Sequence, residues 1–379
     1  MKIGRSPSIL VCPDSFKGSL SSFEAARSIE KGVKSVLPGA RITILPLADG
    51  GEGTLLTLRR AGGRLHYCRV TGPLGGKVRA AFLTMRRTAV IEMAQAAGLL
   101  TIPPGRRDPM KATTWGVGEI IDKALSLKPR KIIVTLGGSA TVDGGAGMAQ
   151  ALGARLMDAR GKPVPAGGAG LLKLARVDLN PMRNKLQGVR VFGATDVRNP
   201  LLGPRGAARV FGPQKGATPR QVRLLERGLA NFSLVCARDL RRKTASIPGA
   251  GAAGGLGAGL VAFLGAKLLP GAGLIFDLVG FDRILSRSDL VLTGEGHLDR
   301  QTAMGKLVAA VAARARTARV PVAAFAGKVS LGAAEIRGMG LAKAYPITPP
   351  GMSARESFAK AGKLLERAAA RAAAELSRS

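Results

Sequence analysis

The chain has 379 residues, of which 58 are Lys or Arg and 24 are Asp or Glu, so its formal net charge at pH 7 is +34. A hydrophobic fraction of 46% excludes a disordered basic tail, because such chains bury too little apolar surface to fold. Only 4% of the residues are aromatic and no block of five basic residues occurs, so nucleic acid is not the expected partner.

Cysteine usage and the apolar runs indicate the compartment. Cys12, Cys68 and Cys236 lie far apart without a Cys-x-x-Cys pair, which argues against a disulfide framework and predicts a reducing compartment. Residues 249–266 carry no charge, but seven of them are glycine, which predicts a glycine-rich turn leading into a buried helix instead of a membrane span. The first residues lack the apolar stretch of a signal peptide, and we expect a cytoplasmic protein without a membrane partner.

Short β-branched runs alternate along the chain with amphipathic or alanine-rich segments, which is the pattern of an α/β protein. Ser21 and Glu24 have the spacing of a capping box, which predicts a helix start. The predicted elements are strand 8–12, helix 21–37, strand 41–47, helix 51–61, strands 66–71, 78–84 and 88–92, helix 113–125, strand 131–136, helix 145–152, strand 189–194, helix 219–240, strand 289–293, helix 302–316, strand 320–325 and helix 353–377.

The pattern of predicted strands and turns in the middle region differs from that at the two ends of the chain. Its strands are shorter and are joined by Gly/Pro turns, and the alternation of the first segment returns near Phe281. We therefore predict one discontinuous α/β domain from residues 1–62 and 283–379. A second α/β domain, residues 63–282, is inserted into it.

Four segments share one design, in which an apolar strand leads into a loop rich in glycine, acidic and hydroxyl residues. They are 13–19, 48–54, 137–145 and 293–302. In open α/β sheets the ligand lies beyond the carboxyl ends of the strands, where such loops are found. Glycine lets backbone N–H groups approach a phosphate, whereas carboxylates there would repel it unless Mg²⁺ bridges the two. Each loop alone also fits a capped turn, but four together predict a site that transfers phosphoryl groups.

Other common designs do not fit the sequence. No Gly-x-x-x-x-Gly-Lys-Ser/Thr motif occurs, and the strand ends lack the Gly-x-Ser-x-Gly elbow of esterases. His66 and His297 are the only histidines, which excludes a histidine-rich metal site. We interpret His66 as structural. Asp196 and Asn199 follow a predicted strand, so they could be site residues at a strand end. They could equally form a turn before Pro200.

Several long motifs then identify a family. They are PDSFKGSLSS (13–22), LADGGEGT (47–54), GGSATVDGGAGMAQALGA (137–154), ATDVRNPLLGPRGAARVFGPQKGAT (194–218), PGAGAAGGLGAGL (248–260) and LTGEGHLDRQT (292–302). With these motifs in order, the chain resembles the bacterial type 1 glycerate kinases, the glycerate 2-kinase family, over nearly its whole length. The resemblance implies ATP-dependent, Mg²⁺-assisted phosphorylation of D-glycerate to 2-phosphoglycerate. It also implies a flavodoxin-like domain, an inserted α/β domain and a site in the cleft between them.

Roles for individual residues follow from the motifs and the resemblance. The expected catalytic residues are Asp196 as base, Lys17 and Lys306. The expected substrate or phosphate contacts are Asp14, Ser15, Gly137, Gly138, Ser139, Thr141, Asp143, Asn199, Lys215, Gly294, His297 and Gln301. The expected metal ligands are Asp49, Glu52, Glu295 and Asp299. His297 stands where the family usually carries an arginine, and Arg300 nearby could replace that anion contact.

Three alternatives stay open at this point. The enzyme could phosphorylate another small hydroxy acid, it could form 3-phosphoglycerate, or the chain could be a basic polyanion-binding protein on a kinase scaffold. Acidic residues clustered at strand ends favour the enzyme, because a protein for polyanions has no need of them. A homodimer is also open.

Overall fold

The computed structural model describes residues 6–16, 18–45, 47–48, 50–51, 53–300, 302 and 307–378. The chain divides into two compact units. The terminal unit comprises Met1–Asp49, Leu56–Ala61 and Ile275–Ser379, and the middle unit comprises Gly50–Leu55 and Gly62–Leu274. We describe each unit by itself.

The strands are β1 (Ser8–Val11), β2 (Arg41–Ile44), β3 (Arg64–Thr71), β4 (Lys77–Met85), β5 (Thr88–Glu92), β6 (Lys131–Thr135), β7 (Arg155–Met157), β8 (Arg176–Asp178), β9 (Arg190–Ala194), β10 (Lys267–Leu269), β11 (Leu290–Leu298), β12 (Val322–Val329) and β13 (Lys343–Pro346). The α-helices are α1 (Ser22–Lys34), α2 (Thr54–Arg60), α3 (Ala94–Ala97), α4 (Trp115–Leu125), α5 (Ala146–Ala151), α6 (Ala207–Phe211), α7 (Pro219–Leu240), α8 (Ala252–Leu264), α9 (Gly271–Val279), α10 (Phe281–Leu285), α11 (Leu307–Thr317), α12 (Ala333–Gly338) and α13 (Ala354–Arg378). Short 3₁₀ helices cover Leu99–Thr101, Pro104–Arg106, Gly168–Lys173, Asn180–Leu186 and Pro213–Lys215.

The sheet of the terminal unit has the strand order β13-β12-β11-β1-β2, and its neighbouring strands pair in parallel. Counted along this unit alone, the order is 2-1-3-4-5, which is that of the flavodoxin-like doubly wound fold. The buried face of β1 packs with α1 and α13 into one apolar core that includes Ile9, Ile29 and Leu365. The predicted flavodoxin-like architecture is therefore present in this unit.

Helix α1 begins as its sequence predicts. The backbone N–H of Glu24 donates to Ser21 Oγ at 3.3 Å, and Glu24 Oε2 accepts from the Ser21 N–H at 2.8 Å, which completes the capping box. On its buried side α1 packs closely against α13. A Cβ atom added to Gly32 would lie 2.1 Å from the carbonyl oxygen of Glu366, so only glycine allows the two backbones to approach this closely.

The main sheet of the middle unit has the order β10-β9-β6-β5-β4-β3. Strands β5, β6, β9 and β10 are parallel, while β3 and β4 are antiparallel to their neighbours. Strands β7 and β8 form a separate antiparallel pair. The carboxyl ends of the four parallel strands therefore share one edge, where the loop 137–145 and Asp196 follow β6 and β9.

Two borders differ from the predicted domain limits. Residues 50–55 pack with the middle unit, since the Leu55 N–H donates to Glu92 Oε1 at 2.7 Å. The terminal unit resumes at Ile275, within α9, earlier than the expected residue 283. There the rings of Phe276 and Phe281 stack 4.5 Å apart, and Asp277 pairs with Arg314 at 3.2 Å.

The strand predicted at 289–293 is longer in the structure. Strand β11 continues to Leu298 because β12 extends with it, pairing as far as Leu298 with Val329. Gly294, Glu295 and His297 thus belong to a strand instead of a loop. Glycine and glutamate are depleted in strands, so the strand propensity of these residues does not predict the extension.

Residues 249–266 contain the expected glycine-rich turn and buried helix. Ala253, Gly254 and Gly255 have φ values of 53°, 66° and 89° at the start of α8, and the rest of that helix is largely buried. The Gly254 carbonyl accepts from the Gly144 N–H at 3.2 Å, so the turn supports the loop after β6. In the described part of the chain, no helix is both long and apolar enough to cross a membrane.

We expect Gly32→Ala to lower the free energy of unfolding of the terminal unit by about 1–3 kcal/mol, because the new methyl group meets backbone on α13. Gly338→Ala is the matched control, since a Cβ at that helical position meets nothing within 4 Å. Calorimetry should show a melting temperature several degrees lower for the first variant and unchanged or higher for the second. Equal melting temperatures would contradict the close packing of α1 on α13.

Candidate functional site

The terminal unit has a cavity of about 300 Å³ at the carboxyl ends of β1 and β11. These two strands are the neighbours at which the strand order reverses, the position where open α/β sheets bind ligands. Asp14 and Ser15 line the cavity from the loop after β1, and Glu295 and His297 line it from β11. The pairing of the two strands thus brings together residues from two of the predicted motifs.

Backbone hydrogen bonds hold the loop after β1 against β11. The Asp14 N–H donates to the carbonyl of Gly294 at 2.8 Å, and the Ser15 N–H donates to Asp14 Oδ1 at 2.6 Å. A Cβ on Gly294 would lie 2.4 Å from the carbonyl oxygen of Phe325 and 3.3 Å from the Phe16 ring. Glycine at position 294 therefore lets β11 pack closely against Phe325 and Phe16.

Thr302 links the two acidic residues of the fourth motif. Its hydroxyl donates to Glu295 Oε1 at 2.6 Å, and its N–H donates to Asp299 Oδ1 at 3.2 Å. Glu295 is buried, while His297 is exposed and its Nε2 lies 2.8 Å from Ser330 Oγ. Nδ1 of His297 lies 3.7 Å from Asp299 Oδ2.

The carboxylates of the cavity fit a Mg²⁺ ion held jointly with phosphate. Mg²⁺ usually takes one or two carboxylates together with phosphate oxygens and water. Asp14 and Glu295 both line the cavity. No group of three or more metal-binding side chains occurs among the described residues, so this part of the chain contains no all-protein cage. Asp299 is not among the residues that line the cavity.

Some of the expected site residues lie outside the described residues. They are Lys17, Asp49, Glu52, Gln301 and Lys306.

In the middle unit, Asp196 follows β9 at the carboxyl edge of the sheet and is exposed to solvent. Asp196 Oδ1 accepts from the Gly271 N–H at 3.1 Å. Gly271 is the first residue of α9, so the amino-terminal end of that helix orients the carboxylate. Asn199 has a different environment: its Nδ2 donates to the Arg205 carbonyl at 2.8 Å, which stabilises its own loop.

The loop 137–145 follows β6 at the same edge. Gly137 and Gly138 are partly or fully exposed, whereas Asp143 is completely buried. The Asp143 carboxylate accepts from the N–H and hydroxyl of Thr114, both at 2.8 Å, and from the N–H groups of Gly145 and Gly147. Burial raises the pKa of the Asp143 carboxyl, and these hydrogen bonds oppose the increase. The carboxylate thus fixes the start of α5, and its expected contact with substrate stays a prediction.

Lys215 is also withdrawn from solvent, with 2% of its surface exposed. Its Nζ donates to Ser139 Oγ at 2.7 Å and to the Thr141 carbonyl at 2.8 Å. Burial lowers the pKa of the Lys215 ammonium to about 7, and the charge of Asp143 opposes this effect. In the structure Lys215 therefore supports the loop that carries Ser139 and Thr141, and its expected contact with an anion stays a prediction.

Sequence reasoning missed a buried carboxylate at the end of β5. Glu92 is 3% exposed and accepts from the Leu55 N–H at 2.7 Å and from Gln95 Nε2 at 3.1 Å. It therefore holds Leu55, in the first turn of α2, against the sheet of the middle unit. The one sequence signal for a buried carboxylate was a glutamate at the end of an otherwise apolar strand. Strands that end in solvent show the same pattern, so the signal did not distinguish a buried glutamate from an exposed one. Ser357 and Phe358 of α13, which line the cavity of the terminal unit, gave no signal.

We expect the stability of the protein to depend on the ionisation of Lys215. The folded protein releases this proton near pH 7, whereas the unfolded chain retains it to about pH 10.5. Unfolding between these values takes up a proton, so the free energy of unfolding should rise with pH relative to Lys215→Met, by at most about 1.4 kcal/mol per pH unit. Urea unfolding at pH 7, 8 and 9 measures this difference, with exposed Lys173→Met as control. A difference independent of pH would mean that Lys215 is ionised normally.

Comparisons with known proteins agree with the motifs. A sequence model described as the glycerate kinase family matches residues 9–377. A glycerate kinase of Halalkalibacterium halodurans is 45% identical over 364 residues, covering 95% of this chain and 96% of the relative. A glycerate 2-kinase of Escherichia coli is 43% identical over 325 residues, covering 85% of each. A crystal structure from Salmonella typhimurium LT2, provisionally named glycerate kinase 2, matches with a TM-score of 0.89 and 42% identity over 98% of this chain and 99% of that one. The match to the solved structure confirms the predicted fold class. Membership of this family implies that glycerate and ATP are the substrates. The chain belongs to the glycerate kinase family of enzymes.

Proposed function

We propose that the enzyme transfers the γ-phosphoryl group of ATP to the 2-hydroxyl of D-glycerate, forming 2-phosphoglycerate and ADP with the help of Mg²⁺. The observation that carries the proposal is the position of Asp196, whose carboxylate stands exposed at a strand end and is oriented by the first N–H of α9. The glycerate 2-kinase of Escherichia coli supports the choice of the 2-hydroxyl.

Phosphoryl transfer to a hydroxyl group requires a base near that hydroxyl. Asp196 accepts the hydroxyl proton as that oxygen attacks the γ-phosphorus. The bond from phosphorus to the bridging oxygen breaks, and ADP leaves with the bond electrons. Because the transition state of phosphoryl transfer is loose, the protein contributes mainly position and charge neutralisation. The hydrogen bond from the Gly271 N–H holds the carboxylate in position to accept the proton.

Charge neutralisation falls to the remaining motif residues. Asp14 and Glu295 would hold Mg²⁺ with phosphate oxygens, and Asp49, Glu52 and Asp299 are proposed to bind the ion or its waters. The glycines of the loop 137–145 offer backbone N–H groups for phosphate, while Lys17 and Lys306 are proposed to balance the transferred charge. Ser15, Ser139, Thr141 and His297 are proposed contacts of substrate or phosphate.

A coupled ADP assay across small hydroxy acids tests the proposal, with NMR identification of the phosphorylated carbon. We expect turnover that needs both D-glycerate and Mg²⁺, stops with EDTA and yields the 2-phosphate. A 3-phosphate product would overturn the regiochemistry. Faster turnover of another hydroxy acid would overturn the substrate. Tight, salt-sensitive binding of DNA without kinase activity would instead support a polyanion-binding protein.

We expect Asp196→Asn to reduce kcat by about 100-fold or more, because the amide cannot accept the proton yet its oxygen can still accept from the Gly271 N–H. Asp122→Asn is the control, since this exposed residue of α4 pairs with Lys185 on the surface. Steady-state kinetics at saturating ATP measure both variants. A near-normal kcat in Asp196→Asn would remove this residue as the base.

A further inference from the structure

Lys215 is a buried cation of the middle unit that the proposed phosphoryl transfer does not itself use. Its Nζ donates to Ser139 Oγ at 2.7 Å and to the Thr141 carbonyl at 2.8 Å, and 2% of its surface is exposed. Support of a loop does not by itself require a charge, because an apolar side chain of similar length could fill the same space without the desolvation cost. The charge therefore indicates a task beyond packing.

The hydrogen bonds around Lys215 leave donors without acceptors. In its ammonium form Lys215 has three donors and no acceptor, and two of the three donors are used. Because Ser139 Oγ accepts from this ammonium, its own hydroxyl proton points away from Nζ, and no described residue accepts it. The hydroxyl of Thr141 is buried and also lacks a partner among the described residues. Each of these three side chains thus keeps one unused donor.

The backbone beside Ser139 has the same surplus of donors. The N–H groups of Gly137, Gly138 and Ser139 donate to no residue in the described part of the chain. Gly138 has a φ of 69°, and successive N–H groups around a left-handed residue commonly form a concave site for an anion. Gly138 is exposed and Ser139 keeps 8% of its surface exposed, so a ligand can approach this loop from solvent.

These unused groups select one class of ligand. Buried polar groups in proteins are normally paired, so donors that the chain leaves unpaired call for an acceptor from outside it. A cation would be repelled by the ammonium of Lys215, and an apolar ligand would leave the donors unpaired. An oxyanion brings acceptors and negative charge together, and hydrogen bonds to it are stronger than those between neutral groups.

We propose that Lys215 is a positioning residue for substrate binding: it holds Ser139 Oγ as an acceptor and so directs the Ser139 hydroxyl proton to an oxyanion of the substrate at the N–H groups of residues 137–139. The inference rests on the proposed function for its choice of substrates, because ATP and glycerate both carry an oxyanion. Lys215 itself does not touch the substrate and acts through Ser139.

Steady-state kinetics of the full-length enzyme test the proposal at about pH 6, below the Lys215 pKa of about 7. We expect Ser139→Ala to raise KM for one of the two substrates by about 10-fold, the size of one hydrogen bond to a charged group, with kcat within about threefold of the parent. The substrate whose KM rises identifies the oxyanion, a phosphate for ATP or the carboxylate for glycerate. Ser139→Thr keeps the hydroxyl and should restore most of the affinity. Exposed Lys173→Met is the control and should leave both KM values unchanged.

A double-mutant cycle separates the positioning role from a merely structural one. If Lys215 acts through Ser139, Lys215→Met should raise the same KM by about 10-fold, and the double variant should bind no worse than Ser139→Ala alone. Independent effects would multiply to about 100-fold, and that result, or an unchanged KM in Lys215→Met, would overturn the inference. If Lys215→Met folds poorly, Ser139→Ala still decides, because parent-like KM values for both substrates in that variant would also overturn it.

Calorimetric binding without turnover distinguishes this inference from the proposed function. ATP with Mg²⁺ and D-glycerate are each titrated into the parent, Ser139→Ala and Lys215→Met. About 10-fold weaker binding of one ligand by both variants, in a protein that forms no 2-phosphoglycerate, would support the positioning role and overturn the proposed function. Unchanged binding in an active glycerate kinase would overturn the inference and leave the proposed function intact.

Discussion

The parallel pairing of β1 with β11 is the interaction on which the terminal unit and its cavity depend. It pairs Ile9 with Leu290 and is reinforced by a hydrogen bond from Thr293 Oγ1 to the Cys12 carbonyl, between residues 281 positions apart in the chain. Closing so long a segment costs conformational entropy, which burial of the apolar strands offsets. Because parallel strands end at the same edge, the pairing also forces the loop with Asp14 to meet Glu295.

In the middle unit two charged side chains, Asp143 and Lys215, are buried and bonded to the loop 137–145 or the residues that follow it. An isolated charge in an apolar interior is costly, and such groups persist when hydrogen bonds satisfy them. Asp143 has four donors and Lys215 has two acceptors, so both stabilise one conformation of the segment from Ser139 to Gly147. These residues contribute through the position of the glycine-rich loop, whereas Asp196, after β9, is exposed to solvent.

The high positive charge describes the surface of the molecule. Of the described residues, Lys215 is the one Lys or Arg that is buried. Exposed pairs such as Arg27 with Glu30 contribute little to stability. The acidic residues are scarce, yet Asp14, Glu295 and Asp196 all stand at strand ends. A positive field should speed the arrival of two anionic substrates and weaken with salt, which connects the charge to association kinetics and not to the fold.

The sequence by itself determined the features that depend on near neighbours. The capping box starts α1, the predicted 219–240 matches α7, and the glycine-rich motifs follow apolar strands. Tertiary structure decided what depends on partners far along the chain. Strand β11 continues through Glu295 because β12 pairs with it, Glu92 is buried because it accepts from Leu55, and Phe358 lines a cavity because α13 packs beside the loop after β1. Residue type and spacing encode local conformation, whereas burial and ligand-facing position arise only when distant segments meet.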